Sequence, residues 1–203
     1  RLLWDDKYLY LGVQCDEPQM DKISPMRYAH DELAVFDRES IEFFVDPNHT
    51  HDLYYQLAFN VAGSLYDGER FTVSWNSGAE VKTHFGDKFW SAEVAVPWGP
   101  LKAGPNPGKV VGFNVNRTHN IEEKTFATWA GVQRGFHDPE RFAHLVLSGT
   151  PEMIGKLSGE FRKGGSTGPI VVYSAEGKLD AATWTGAETK RRGLMQAWLD
   201  DSR

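Results

Sequence analysis

Three stretches of the chain alternate apolar and polar residues with period two, the repeat of a strand with two unlike faces. In 39–46, Ile41, Phe43 and Val45 point one way and Ser40, Glu42, Phe44 and Asp46 the other. In 54–61, Tyr55, Leu57, Phe59 and Val61 alternate with Tyr54, Gln56, Ala58 and Asn60. In 111–116, Val111, Phe113 and Val115 alternate with Gly112, Asn114 and Asn116. Further strands are expected at 8–15, 110–118, 125–130 and 141–147, with a hairpin around Val81 and 89–96 joined through Phe85, Gly86, Asp87 and Lys88. Turn signals separate them, such as Asp46-Pro47-Asn48-His49 and Ala62-Gly63-Ser64. Six to eight short strands with scarcely any helical period before residue 150 predict an all-β sandwich or barrel. Residues 16–36, rich in Pro, Asp and His and without a period, read as a long loop of the kind that carries function.

Beyond residue 148 the character changes. Residues 163–169 have a linker composition, 170–173 read as a short strand, and 187–200 read as a helix with Leu194 and Trp198 four apart. The expected organisation is a sandwich over 1–148, then a linker and a C-terminal strand and helix appendage over 149–203. The chain opens at Arg1 and runs straight into a strand with no Met and no leader. That is the expectation for a fragment of something longer, its first strand missing.

Charge and composition narrow the function. The net charge of −6, with no basic cluster longer than 190–192, argues against a nucleic-acid partner. No apolar run reaches the length of a membrane span. Cys15 is the single cysteine, so it forms no internal disulfide and reads as a small core residue. No nucleophile elbow, phosphate loop, zinc spacing or metalloprotease helix is present. His49 and His51 flank a turn and read as exposed loop rather than as a metal clip. Glu42 and Glu93 are the obvious strand carboxylates, too little to indicate a glycosidase pair. The polar strand face is different. Glu, Gln and Asn together offer donors and acceptors to a neutral polyhydroxylated ligand, and Glu42, Gln56, Asn60 and Asn116 all fall on it. Phe36 and Phe136 lie in polar loops, where a ring can stack on a pyranose.

The ordered blocks "LLWDDKYLYLGVQCDEP", "DRESIEFFVDPN", "YYQLAFNVAGSLYD", "FWSAEVAVPW", "GKVVGFNVNR" and "ATWAGVQRGFHDPERFAHLVL" resemble carbohydrate-binding module family 9 and its wider relatives over residues 1–147. The resemblance implies an immunoglobulin-like β-sandwich and a non-catalytic module of a larger secreted bacterial protein. It implies an oligo- or polysaccharide as partner, adjoining domains in the parent chain, and an extracellular or periplasmic location. It places an acidic sugar-binding residue at Glu42, polar contacts at Asn116 and Gln133, and a pair of clamp aromatics at Phe36 and Phe136, where the type member has Trp. Ala58 stands where the type member has an arginine, and Arg134 is the candidate substitute. A structural Ca²⁺ is implied at Asp16, with Asp21 as neighbour. Two other classes remain: an interaction domain that kept the sandwich and lost sugar binding, and a haem-carrying sandwich, which needs facing axial ligands from Met, His or Lys.

Overall fold

The computed structural model describes residues 2–147, with Leu3 by its backbone alone, and the backbone of two further strands at 170–175 and 193–198. Ten strands occupy the first part. They are β1 (Leu2–Trp4), β2 (Tyr8–Asp16), β3 (Ser40–Asp46), β4 (Tyr55–Asn60), β5 (Leu65–Glu69), β6 (Glu80–Phe85), β7 (Phe89–Pro97), β8 (Val110–Asn120), β9 (Lys124–Thr128) and β10 (Ala143–Leu147). They form two sheets. One has the order β1-β2-β7-β6; the other runs β10-β8-β3-β4-β5, with β9 also paired to β8. The predicted all-β sandwich is present, and its only helical turns among the described residues are short 3₁₀ pieces at Met20–Lys22, Leu33–Asp37 and Pro139–Arg141.

The period-two pattern explains the core. In the first sheet Leu9, Leu11, Val13 and Cys15 oppose Val96, Val94, Ala92 and Trp90, so one row of each strand faces inward. In the second, Ile41, Phe43 and Val45 of β3 share a face with Phe59, Leu57 and Tyr55 of β4 and with Val115 and Phe113 of β8. These rows meet in one cluster with Trp98, Leu101, Leu145 and Leu147. Burying a side chain of that size contributes roughly 1.5–3 kcal/mol, which fixes register, since a slip of one residue would turn the whole row outward. Cys15 lies in this core, as expected, and Trp98 lies there too.

Strand β5 had no sequence signal of its own. It follows a turn in which Gly63 adopts φ +75° and the Asn60 side-chain oxygen accepts from the backbone N–H groups of Ala62 and Ser64, at 3.0 Å each. That turn returns the chain along β4, which then zips residues 65–69 by backbone pairing.

The C-terminal segment carries a correction. The expected strand is there as β11 (Ile170–Ala175), pairing parallel with β10. The expected helix over 187–200 is not: Gly193–Trp198 is a strand, β12, antiparallel to β11. An open strand edge supplies backbone partners that override a weak helical period. The rest of that helix and the linker at 163–169 fall outside the described residues.

Candidate functional site

The site is built on the outer face of the second sheet. Register places Glu42 of β3 directly opposite Ala58 of β4 and Asn116 of β8, with Gln56 opposite Phe44 and Asn60 opposite Ser40. Residues directly opposite share a face, so Glu42, Gln56, Asn60 and Asn116 lie on one side of the sheet while Phe43, Phe59 and Phe113 lie on the other. The alternation in the sequence predicts this arrangement. What it does not show is the depth of that face: Glu42, Gln56, Asn60 and Asn116 are all buried, because loops fold over them.

Two groups of rings do the covering. Phe36, from the 3₁₀ turn at Leu33–Asp37, packs edge-on against Tyr66 of β5 with centroids 4.8 Å apart, and both close on Val35 and Ala58. Ala58 stands where the resemblance places an arginine, and it packs in a small apolar cluster with Val35, Phe36 and Tyr66. Phe136 packs with the Phe44, Tyr54 and Phe142 cluster. His137 sits edge-on to Phe44, stacks on Phe71 at 4.5 Å, and its Nδ1 lies 2.9 Å from the Tyr54 hydroxyl. Between these groups lies a cleft of about 370 Å³, lined by Leu33, Phe36, Tyr66, Phe71, Phe136 and His137 from the loops and strand β5, and by Glu42 and Gln56 from the sheet. That volume suits a small ligand.

The polar pair is coupled. Gln56 Nε2 donates to Glu42 Oε2 at 2.7 Å. Burial pushes the Glu42 carboxyl up to about 7, against the opposing pull of that hydrogen bond and of the Lys124 charge. His137 is held below the usual imidazole range by burial, which keeps it neutral at pH 7.

Of the sequence-predicted site residues, the structure brings Phe36, Glu42, Gln56 and Phe136 together around the cleft. It leaves four outside the lining. Asn60 is engaged in the β4–β5 turn, and its Nδ2 donates to the Met26 carbonyl at 2.8 Å. Asn116 lies beside Glu42 in the sheet, but its Oδ1 accepts from Asn114 Nδ2 at 3.0 Å. Gln133 and Arg134 are exposed in the loop before Phe136. Leu33, Tyr66, Phe71 and His137 were missed. The last three announce themselves in the sequence only as aromatics near turns, which is also how core rings look.

The two carboxylates expected to hold Ca²⁺ are apart in character. Asp16 Oδ1 accepts from Gln14 Nε2, and Asp21 is exposed on the 3₁₀ turn. Two other clusters gather ligand atoms, Glu17 with Glu39 and His119, and His30 with Asp31 and Asp67. In the first, Arg117 Nη2 already lies 2.9 Å from Glu39 Oε2 and 3.6 Å from Glu17 Oε2, so one guanidinium meets part of the charge of the two carboxylates. In the second, Asp67 is buried and its Oδ1 has no hydrogen-bond partner, while Oδ2 accepts from the backbone and hydroxyl of Ser77. A buried carboxylate oxygen without a donor is the kind of group a hard cation satisfies. The His49 and His51 loop is half-buried, not exposed: His49 Nε2 meets His144 Nδ1 at 2.6 Å, and His51 Nδ1 meets the Pro139 carbonyl at 2.9 Å.

Comparison with known proteins bears on the family and the fold. An endo-1,4-beta-xylanase A of Thermoanaerobacterium saccharolyticum is 28% identical over 170 residues, 81% of this chain. Exoglucanase XynX of Acetivibrio thermocellus is 28% identical over 167 residues, 79% of this chain. The matches span only 13% and 14% of those relatives' own length. Among solved structures, a family 9 carbohydrate-binding module of Caldicellulosiruptor kristjanssonii in complex with glucose superposes with a TM-score of 0.57 at 16% identity, covering 75% of this chain and 76% of that one. A cellotriose complex of a family 9 module from the same organism gives 0.54 at 17% identity, covering 74% of each chain. The family model described as carbohydrate family 9 binding domain-like matches residues 1–150, and the chain belongs to that family of non-catalytic binding domains.

Proposed function

We propose that this chain is a non-catalytic module that binds a neutral glycan, with a sugar ring held between Phe36 and Phe136 and its hydroxyls bonded to Glu42 and Gln56. The observation that carries this reading is the acid and amide pair at the base of an aromatic-walled cleft. Aromatic faces take the C–H surface of a pyranose, while a carboxylate and a carboxamide orient its hydroxyls. Glucose and cellotriose complexes of similar modules support the ligand class. Glu42 is the one carboxylate lining the cleft, whereas glycoside cleavage ordinarily needs two flanking the bond. A haem is a poorer fit, since His137 is the lone candidate axial ligand in the lining. A xylanase and an exoglucanase many times longer than this match support reading the chain as one module of a larger bacterial glycosidase, with an extracellular or periplasmic location as part of that reading. No helix among the described residues is long and apolar enough to cross a membrane.

Calorimetry against cello- and xylo-oligosaccharides tests this, with dissociation constants expected roughly between micromolar and millimolar. Absence of heat with every sugar would favour an interaction domain that has lost its ligand. For calcium, the Asp31 and Asp67 pair is the better seat than Asp16 and Asp21, on the strength of the orphaned Asp67 Oδ1.

A further inference from the structure

The rings and the carboxylate of the cleft do more than fit a neutral sugar. Four aromatic side chains, Phe36, Tyr66, Phe71 and Phe136, line it together with Glu42, and no Lys or Arg is among the lining residues. Phe71 is 75% exposed, a large cost for a phenyl ring that serves no core, and it is fixed there by stacking on His137. Aromatic faces carry negative charge density, and a carboxylate among them is the arrangement that attracts an ammonium group. Glu42 accepts one hydrogen bond from a neutral amide, and burial pushes its carboxyl up to about 7, so a cation brought against it would draw it into the ionised form. The cation whose charge reaches Glu42 is Lys124, but its Nζ donates to the Phe36 carbonyl at 3.0 Å and lies 5.8 Å from the Phe126 centroid, and it is not among the lining residues. The other titratable group at the cleft, His137, is held below the usual imidazole range by burial.

We propose that the cleft selects an amine-bearing sugar, a glycan whose terminal residue carries a free ammonium group, over its neutral, acetylated and anionic counterparts. This rests on the reading of the cleft as a sugar site and names the substrate class within it. The ammonium would be held against Glu42 and the ring faces, with the pyranose body in the clamp. Uronic acids would be repelled by the same carboxylate, with no cation in the lining to receive them.

The test is calorimetry on the whole chain at neutral pH with four probes: the glucosamine disaccharide, cellobiose, the N-acetylated glucosamine disaccharide and a glucuronic acid-terminated disaccharide. The glucosamine disaccharide is expected to bind at least about fivefold more tightly than cellobiose, in keeping with a cation held by aromatic rings and a carboxylate. Acetylation should erase the advantage, and Glu42→Gln should bring the glucosamine-to-cellobiose ratio close to one. Cellobiose binding as tightly as the amine, or an advantage that survives acetylation, would overturn this proposal while leaving the sugar site standing. Silence from all four probes would remove the sugar site and this proposal with it.

Discussion

Glu42→Gln separates the electrostatics of the cleft from its shape. The amide has the same size and can accept the bond that Gln56 Nε2 gives to Glu42 Oε2, but it does not ionise. Burial raises the native carboxyl from 4.5 to about 7. The native state therefore holds its proton more tightly than the unfolded chain. The stability this confers is fully present below about pH 4.5 and is lost as pH rises through about 7. The difference corresponds to about 3 kcal/mol. His49, His137 and His144 work in the opposite direction, since burial lowers each of them and the stability they confer is lost as pH falls below 6.5. They are common to both proteins and cancel in the comparison. Urea unfolding of the native chain and of Glu42→Gln at about pH 4 and about pH 8 measures the effect. The variant should be nearly equal to the native chain at the lower pH and more stable by up to about 3 kcal/mol at the higher one. For a domain of this size that is a rise of very roughly 6–12 °C in Tm. Parallel pH profiles, agreeing within about 0.5 kcal/mol, would refute the reasoning.

Three further outcomes are expected. Phe136→Ala should weaken sugar binding about fivefold to tenfold and Phe136→Trp should preserve or tighten it, read by calorimetry, because an aromatic contact contributes about 1 kcal/mol beyond burial. Removing Ca²⁺ with a chelator should lower Tm in the native chain and leave an Asp67→Asn variant unmoved, since an ion bound at 100 times its Kd stabilises by about 3 kcal/mol. Burial and the neighbouring His49 and His51 lower the His144 imidazole to about 4, so His144→Gln should flatten the loss of stability as pH falls from 6.5 toward 4, by up to about 3 kcal/mol in urea titrations.

The sandwich was legible because strand periodicity is a local property of the chain. Ile41, Phe43 and Val45 announce one face of β3 whatever they pack against, and the same holds for Leu57 and Phe59 in β4. The polar face followed from the same alternation. Its covering was not legible, because the contact of Phe36 with Tyr66, or of Phe71 with His137, depends on how loops far apart in sequence fold back over the sheet. Strand β5 escaped notice for a related reason: Leu65, Tyr66, Asp67, Gly68 and Glu69 have little strand character of their own, and pairing with β4 supplies it. The Gly193–Trp198 strand shows tertiary pairing overriding a local helical pattern.

The cleft also dates its own assembly. Its base comes from the early strands β3 and β4, yet His137 reaches Tyr54 across 83 residues of chain, and Arg117 joins Glu39 across 78. Contacts of such long range must overcome loop-closure entropy before they contribute, so chains dominated by them fold slowly. A nascent chain that has emerged only as far as about residue 100 presents β3 and β4 without β8 beside them and without the Phe136 and His137 wall. On the proposed reading of the cleft, ligand capture switches on late in synthesis, and sugar-dependent protection from protease would serve as a clock for the last step of folding rather than for its first collapse.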